Sequence, residues 1–384
     1  MMTDKRMSTS ALGRTLLLSS NSLWNIQNFR GALVKAFDRD GWSVVIAAPP
    51  TIDQSKLVSL PARVIPLGIR RSGINPFEDL KLLWAYYRLM RAEKPAAYLG
   101  WTIKPNLYGA LAARVAGVPS ILNVSGLGTA FLSGRLLGQF VGVLYKFAFR
   151  KALIVYFQNP DDLELFIKKK LVSADKARLL PGSGINLTLF SSAPLPSDGG
   201  IRFLMVARLL GDKGVREYAA AAEIARRTLP NARFDLLGPI DQGNRTAIPL
   251  AELHKWTSDG AINYLGETND VRPYIKAATV VVLPSYREGL PRSLLEGAAM
   301  GRPLIATNVP GCREIIEEGV NGFLCDVRDE ISLSKAMVKL ALLNVETRAL
   351  MGGRSREIVE RRYDENFVTE AYALALSSIK DAVT

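Results

Sequence analysis

Short apolar runs alternate with amphipathic, helix-like segments along the whole chain. In the first half these runs predict strands at 15–20, 43–48, 62–67, 96–101, 120–125 and 152–157. After residue 200 the alternation restarts, and it predicts strands at 201–206, 233–238, 261–266, 279–285 and 302–307. Apolar strands joined by helices are typical of parallel sheets covered on both faces. The pattern therefore predicts an α/β chain with two doubly wound parallel sheets.

The boundary between the two series is predicted at SSAPLPSDGG, 191–200, which is rich in Pro, Gly and Ser and carries no periodicity. We therefore predict a first domain over 1–190 and a second over 198–365. Ligands of doubly wound sheets bind at the carboxyl ends of the strands, so a cleft that the two domains face is the expected site.

Composition excludes several kinds of site. The two cysteines, Cys312 and Cys325, imply no disulfide framework. The single histidine, His254, lies in a polar helical segment, and its isolation argues against zinc sites and Ser-His-Asp chemistry. Neither a targeting signal nor a transmembrane run is expected.

Positive charge is concentrated in the first half of the chain. Residues 1–197 contain 25 Lys and Arg against 11 Asp and Glu, whereas residues 198–384 contain 24 against 25, which together give the net charge of +13. An anionic partner or surface is therefore expected to meet the first half.

Two cations mark the start of the second domain. In FLMVARLLGDKGV, Arg208 and Lys213 both follow the first predicted strand, on the loop that leads into a helix. A planar guanidinium and a compact ammonium together suit a diphosphate. The alternative is that both are solvated surface charges.

Two carboxylates flank a turn at the start of a later helix. In PSYREGLPRSLLE, Glu288 precedes the turn and Glu296 lies on the helix. Carboxylates accept hydrogen bonds from vicinal hydroxyls, and backbone N–H groups at a helix start accept phosphate. The segment therefore predicts a sugar-nucleotide pocket formed by Ser285, Glu288, Gly289, Leu290, Pro291 and Glu296. The alternative is that Glu288 caps the helix and Glu296 faces solvent.

The second half resembles the retaining glycosyltransferases of family 4, which have the GT-B fold. The matching residues are VARLLGDKG at 206–214, the segment 263–324, and the E-x7-E pair of Glu288 and Glu296. The resemblance implies that Arg208 and Lys213 bind the donor diphosphate, Glu288 the donor sugar and Glu296 the ribose. It also implies a last helix, at about 366–384, that returns to the first domain.

The first half is similar to a bacterial subgroup that extends sugars linked to undecaprenyl diphosphate. The similarity rests on SLWNIQNFR, GINPFEDLKLLW, TIKPNLYGALAA, NVSGLGTAF, YFQNPDDLELF and LPGSGINL. It implies transfer of a hexose or N-acetylhexosamine (GalNAc, GlcNAc or Gal) from a UDP-sugar, for surface-glycan or protein-glycan assembly. The chain departs from many members because no Gly-Gly pair follows the first strand and no histidine occurs in the first domain.

The acceptor side is predicted from loops of the first domain. Hydroxyl and amide groups near 21–30, 102–106 and 125–131 are expected to bind the acceptor, with Asn25, Lys104, Gly126 and Gly128 as candidates. No metal or other cofactor is expected, because Arg208 and Lys213 can stabilise the diphosphate. The only Asp-x-Asp, Asp38-Arg39-Asp40, is interpreted as a solvated turn.

A membrane contact is predicted at 131–150, where Leu and Phe alternate at helical spacing with Arg and Lys. A basic amphipathic helix is typical of an interfacial segment, although a buried crossover helix would show the same pattern. With a lipid-linked acceptor, this segment predicts a peripheral protein on an anionic membrane, at the inner face of the bacterial plasma membrane.

The sequence allows four other interpretations to be compared with this one. A UDP-sugar 2-epimerase of the same fold, or a glycosyltransferase with a soluble acceptor, remains as the alternative. Nucleic-acid binding is not expected, since the basic half lacks clustered cations with interleaved aromatic residues. A dinucleotide oxidoreductase is not expected either, because neither domain shows G-x-G-x-x-G after a strand.

Overall fold

The computed structural model describes residues 14–50, 60–70, 75–127, 135–197 and 200–383, and for 135–140 and 380–383 it describes the backbone alone. The chain forms two units. The first comprises Met1–Ser183 with Asn366–Thr384, and the second comprises Gly184–Glu365. The first unit therefore ends seven residues before the predicted boundary at 190.

The first unit is built on a seven-stranded sheet with the order β3-β2-β1-β4-β5-β6-β7. Every pairing in it is parallel. The strands are β1 Thr15–Ser19, β2 Ser43–Ala48, β3 Arg63–Pro66, β4 Ala97–Trp101, β5 Ser120–Val124, β6 Ile154–Phe157 and β7 Ala177–Leu179. The short edge strand β7 was not predicted, because three residues show no periodicity.

The connecting helices begin where the sequence supplies caps. Asn75 and Asn159 each accept a backbone N–H with the side chain and are followed by a proline, the preferred arrangement at a helix start. The helices are α1 Leu23–Arg39, α2 Pro76–Glu93, a π-helical turn Pro105–Gly109 continuing into α3 Ala110–Ala116, α4 Arg135–Phe149 and α5 Pro160–Lys168.

Alternate residues of the first sheet enter two separate cores. One face packs Leu17, Tyr98 and Leu122 against α2, α3, α4 and α5. The other packs Leu16 and Leu99 against α1. This alternation follows from the two-residue period of a strand.

The second unit contains a six-stranded parallel sheet with the order β10-β9-β8-β11-β12-β13. Its strands are β8 Arg202–Val206, β9 Arg233–Leu237, β10 Asn263–Tyr264, β11 Val280–Leu283, β12 Leu304–Thr307 and β13 Gly322–Cys325. Its helices are α6 Val215–Arg226, α7 Leu250–Ser258, α8 Arg272–Ala277, α9 Arg292–Ala299, α10 Glu330–Ala341 and α11 Val345–Arg362.

The predicted linker belongs to the second unit as far as it is described. Phe190 lies in the core of that unit. The buried guanidinium of Arg302 donates to the carbonyls of Ala193 and Pro194, and that of Arg356 donates to Leu187 and Phe190. Ala193 and Pro194 therefore have fixed partners, although the composition of 191–200 is that of a linker.

The last helix, α12 Glu365–Val383, packs on the first unit from Asn366 onward, the position that the resemblance implied. Its Tyr372 is buried against Phe37 and Trp101 on the α1 face of the sheet, and Tyr156 donates its hydroxyl to the carbonyl of Ala371. Among the described residues, no helix has the length and apolarity that a membrane span requires.

Candidate functional site

Two loops of the second unit meet because their strands are neighbours. β8 pairs with β11 in parallel register, so both strands end at the same edge of the sheet. The loop after β8 carries Arg208 and Lys213, and the turn after β11 carries Ser285 and Glu288. The sequence predicted this proximity only indirectly, since the two segments are about 75 residues apart.

Lys213 and Glu288 form an ion pair between these loops. Their side chains are 20% and 13% exposed, so the pair is shielded but can still be reached from solvent. Glu288 therefore does not cap the following helix, and Lys213 is not a solvated surface charge. The structure brings together the two residues that the sequence placed in one pocket.

Backbone contacts fix the loop that carries Lys213. Gly214 adopts φ +76°, and a Cβ there would lie 2.0 Å from the carbonyl oxygen of Pro284. The N–H of Tyr286 donates to the carbonyl of Asp212 at 2.9 Å. Only glycine allows this approach, so the loop after β8 is held directly against the turn after β11.

Ser285 supports this contact from within the protein. Its side chain is fully buried, and its hydroxyl donates to the carbonyl of Asp212 at 3.2 Å. Its own carbonyl accepts a hydrogen bond from the hydroxyl of Thr307. Ser285 therefore holds the turn after β11 against the loop that bears Lys213, and its contact with a donor stays a prediction.

Arg208 forms an ion pair of its own with Asp241. Its guanidinium binds the carboxylate of Asp241 at 2.9 Å, and the two side chains are 53% and 37% exposed. An exposed pair of this kind contributes little to stability. Arg208 is therefore able to exchange Asp241 for another anion.

Glu296 is buried on α9, so the solvent-facing alternative is wrong for this residue. Burial raises the pKa of its carboxyl above the ordinary value, and the neighbouring Arg292, at 3.2 Å, opposes that rise. Pro291 occupies the N-cap position of α9. The carboxylate of Glu296 thus lies less than two turns from the helix start.

A second close backbone contact fixes the turn between Glu288 and Glu296. Gly311 has φ +88°, and a Cβ there would lie 2.6 Å from the carbonyl oxygen of Glu288 and 2.7 Å from that of Gly289. The N–H of Glu288 donates to the carbonyl of Pro310 at 3.1 Å, and Leu290 is buried. Glu288 therefore has a fixed backbone from which to present its carboxylate.

Three further residues of this region were missed from the sequence. The hydroxyl of Thr246 donates to the carboxylate of Asp212 at 2.6 Å and ties a third loop to the one that bears Lys213. Arg292 bonds both Glu296 and the carbonyl of Gly184. The spacing of four residues between Arg292 and Glu296 could have indicated their pairing, whereas no local pattern links Thr246 to Asp212.

The predicted acceptor loops of the first unit also share one edge. β1, β4 and β5 are consecutive neighbours in the sheet, so the loops after them lie side by side. Ser20 donates its hydroxyl to the amide oxygen of Asn25 at 3.2 Å, and the N–H of Asn21 donates to the hydroxyl of Thr102 at 3.2 Å. Thr102 has φ +70°, an unusual conformation for a β-branched residue.

Lys104, the candidate cation at this edge, already forms an ion pair within the first unit. Lys104 pairs with Asp79 of α2 at 2.7 Å, and the side chains are only 14% and 6% exposed. Gly126 has φ +127°, where a side chain would be strained. Gly128 lies outside the described residues, as does 131–134 of the predicted membrane segment.

The described part of that segment contributes mainly to the core. In α4, Val141, Tyr145, Ala148 and Phe149 are buried beneath the helix, and Gly142 is buried too. From Val141 to Phe149 the apolar face therefore packs on the sheet instead of facing outward. Val143 and Phe147 are the exposed apolar side chains of this stretch.

His254 and the Asp38-Arg39-Asp40 segment lie at the surface of the protein. His254 is exposed on α7, and Asp38 and Asp40 are exposed where α1 ends. The latter position is the amino-terminal edge of the first sheet, opposite the edge that carries the candidate loops.

Comparison with known proteins identifies the family. Residues 200–342 match the family model described as glycosyl transferases group 1, and residues 26–182 match the glycosyl transferase 4-like domain. The chain belongs to the family 4 glycosyltransferases. The sequence-based assignment to this family is confirmed.

Among the relatives of this glycosyltransferase is a Campylobacter jejuni N,N'-diacetylbacillosaminyl-diphospho-undecaprenol α-1,3-N-acetylgalactosaminyltransferase. It is 27% identical over 91% of this chain and 94% of its own length. An Escherichia coli UDP-Gal:α-D-GlcNAc-diphosphoundecaprenol α-1,3-galactosyltransferase is 28% identical over 70% of this chain and 72% of its own. Both names describe transfer to a sugar on diphosphoundecaprenol.

Solved structures confirm the fold class. Sucrose-phosphate synthase from Thermosynechococcus elongatus matches with a TM-score of 0.78 at 19% identity, over 96% of this chain and all of that one. Anabaena HepE, solved with UDP and glucose, matches with a TM-score of 0.77 at 19% identity, over 95% of this chain and all of that one. The glycosyltransferase has two parallel-sheet α/β units of the GT-B type.

Proposed function

We propose that this glycosyltransferase moves a hexose or N-acetylhexosamine from a UDP-sugar to a sugar carried by undecaprenyl diphosphate, with retention of anomeric configuration. The observation that carries the proposal is the shielded Lys213–Glu288 pair beside the buried Glu296. It supplies a cation for a diphosphate and two carboxylates for the hydroxyls of two sugar rings. The names of the two relatives, which describe transfer to a sugar on diphosphoundecaprenol, support the acceptor class.

Lys213 and Arg208 would bind the diphosphate of the donor. Lys213 is already oriented by the close contact at Gly214, so little reorganisation is needed when negative charge develops on the leaving group. Arg208 would release the exposed Asp241 and offer its planar guanidinium to a phosphate. Together the two cations would stabilise the departing UDP.

Glu288 would bind the transferred sugar, and Glu296 the ribose of the nucleotide. A carboxylate that accepts two hydrogen bonds from neighbouring hydroxyls fixes the orientation of a ring. Burial makes each bond at Glu296 stronger than it would be in water. Gly289, Leu290 and Pro291 would hold the intervening turn, with its N–H groups toward the donor.

The reaction proposed here uses no protein nucleophile. The bond between the anomeric carbon and the phosphate oxygen breaks, and the acceptor hydroxyl forms the new glycosidic bond on the same face of the sugar. The proton of that hydroxyl passes to the departing phosphate oxygen, so atoms and charge balance. The protein contributes geometry and charge stabilisation.

The first unit would bind the acceptor at the edge formed by the loops after β1, β4 and β5. Asn25 and Gly126 lie on these loops, and Lys104 would bind the acceptor diphosphate if Asp79 shares it. A lipid-linked acceptor places the enzyme at a membrane, and we propose a peripheral location on the inner face of the bacterial plasma membrane. The excess of positive charge in residues 1–197 supports an anionic surface.

The test is product formation from UDP-sugars and a lipid-diphosphate-linked sugar, read by mass spectrometry in the presence of EDTA. Glu288→Ala and Lys213→Ala should abolish the product while the fold is retained. Product that persists in both variants would overturn the assignment of the site. Loss of product in EDTA, restored by a divalent cation, would overturn the metal-independent mechanism.

The 2-epimerase alternative gains no support, because both family models and the named relatives are glycosyltransferases. A soluble acceptor is the remaining alternative. A parallel assay in which the same disaccharide acceptor is free or carries the lipid diphosphate distinguishes the two.

A further inference from the structure

Helix α2 of the first unit has an apolar outer face. Phe77, Leu80 and Trp84 are 82%, 64% and 59% exposed, although they are large hydrophobic side chains. Their spacing of three and four residues places them along one side of the helix. Phe77 is the most exposed large hydrophobic residue in the described part of the chain.

The opposite side of α2 is fully used by the core. Leu82, Tyr86 and Met90 are buried against the first sheet. The outer row is therefore not a core face that has been left partly uncovered. It is a second apolar face, on a helix whose inner face already packs in the core.

Cations accompany the outer row along the same side of α2. Lys81, Arg88 and Arg91 are exposed there. The guanidinium of Arg88 lies over the indole of Trp84, 4.7 Å from the ring centroid, which leaves the ring edge free to enter an apolar phase while the charge stays outside. The acid nearest the apolar row, Glu78, is engaged by Arg70 at 2.8 Å.

Neighbouring helices extend this surface. α3 packs against both α2 and α4, and Arg114 of α3 donates to the carbonyl of Phe147 of α4 at 3.1 Å. Val115 of α3 is 74% exposed, and Val143 and Phe147 of α4 are 52% and 51% exposed. Lys146 and Arg150 are exposed beside them. Apolar tips and cations thus recur over the whole outer layer of this face.

We propose that the outer face of α2 binds an anionic lipid membrane, with Phe77, Leu80 and Trp84 entering the acyl boundary and Lys81, Arg88 and Arg91 contacting the lipid phosphates. A helix with bulky apolar residues on one side and flanking cations suits a lipid interface, since Trp favours the headgroup level. The first half of the chain carries the positive charge that an anionic surface attracts.

The position of α2 favours a membrane over a protein partner. The buried Asp79 lies on the same helix, between the exposed Phe77 and Leu80, and it pairs with Lys104 in the loop after β4. One turn of α2 therefore links the apolar surface to the edge where we propose that the acceptor diphosphate binds. In this respect the inference deepens the proposed function, because a lipid-linked diphosphate would arrive beside that turn.

The test measures binding of the full chain to vesicles without any substrate. Wild-type protein should sediment with vesicles of phosphatidylglycerol and phosphatidylethanolamine and much less with vesicles of phosphatidylcholine. The variant Phe77→Gln/Leu80→Gln/Trp84→Gln should lose at least about 100-fold in partition coefficient. The variant Lys81→Gln/Arg88→Gln/Arg91→Gln should lose about 100-fold at low salt, with a weaker salt dependence.

Leu374→Gln is the matched control. Leu374 is 74% exposed on α12, which packs on the other face of the same sheet, and its replacement should leave binding unchanged. Quenching of tryptophan fluorescence by brominated lipid should fall in Trp84→Phe. Equal binding by the control and the α2 variants would overturn the inference, as would a dimer of the chain that α2 substitutions dissolve.

The outcome is independent of the catalytic proposal. If wild-type protein transfers sugar to a short-chain acceptor but does not bind vesicles, the inference about α2 fails and the proposed reaction stands. If it binds vesicles through α2 and transfers no sugar, the inference about α2 stands and the proposed reaction fails.

Discussion

Variants of the Lys213–Glu288 pair should affect the free energy of unfolding and the rate of sugar transfer differently. Replacing either residue alone with a neutral side chain of similar size, Lys213→Met or Glu288→Gln, leaves the other charge shielded and without its ion-pair partner. A fully buried pair loses about 3–5 kcal/mol in this way. Because these side chains are 20% and 13% exposed, we expect about 1–3 kcal/mol for each single variant.

The double variant Lys213→Met/Glu288→Gln has no unpaired charge. It should therefore recover part of the lost stability, with a coupling energy of at least about 1 kcal/mol. Differential scanning calorimetry of the full chain measures this, since about 1 kcal/mol corresponds to roughly 2–4 °C in a unit of this size. Sugar transfer should nevertheless fall about 100-fold or more in all three variants, because the double variant restores no charge for the substrate.

The control is the more exposed pair of Arg216 and Glu252, at 2.7 Å in the same unit, whose side chains are 46% and 36% exposed. The corresponding cycle, Arg216→Met with Glu252→Gln, should show less than about 1 kcal/mol of coupling and unchanged transfer. Additive effects of Lys213→Met and Glu288→Gln on stability would refute the shielded pair. An active double variant would refute its role in transfer.

Three further predictions concern the frame of the site. Burial raises the pKa of Glu296 above 4.5. The contribution of the Glu296 carboxyl to the free energy of unfolding is therefore complete below pH 4.5 and is lost as the pH rises through the raised pKa. Glu296→Gln should remove this pH-dependent loss, which thermal melts from about pH 4 to 8 would measure. Gly214→Ala should lower transfer about 10-fold or more by forcing the Lys213 loop away from Pro284, whereas Gly243→Ala, with open space at its Cβ, should be neutral. Arg302→Leu should cost about 3 kcal/mol or more in urea unfolding, because it removes the buried guanidinium that donates to the carbonyls of Ala278 and Met300 as well as to those of Ala193 and Pro194.

The architecture was largely predictable because long apolar strands and capped helices are local signals. The strand at 43–48 has the predicted ends, and it derives from a pattern within one element. β7 and β13 were missed, and strand length alone does not explain this, since β3, β6, β11 and β12 are no longer than β13 and were predicted. The hydrogen bonds that fix Leu187, Phe190, Ala193 and Pro194 were not predictable, because their donors, Arg302 and Arg356, lie more than 100 residues away along the chain.

The proximity of two candidate residues was predictable where one short segment carries both, as with Glu288 and Glu296. Ion pairs between distant segments were not predictable, because strand order and packing decide them. Examples are the pairs of Lys213 with Glu288 and of Lys104 with Asp79. The α2 surface escaped notice for another reason. Its inner and outer rows are both apolar, so the sequence shows one hydrophobic helix, and only the structure separates the buried row from the exposed one.

Proton NMR of the reaction product tests the central claim most directly. With a UDP-α-sugar and a lipid-diphosphate-linked acceptor, the account predicts a new disaccharide whose anomeric coupling is that of the α-configured donor, and no such product from Glu288→Gln. A β-linked product, or a UDP-sugar epimerised at C2 with the acceptor unchanged, would contradict it.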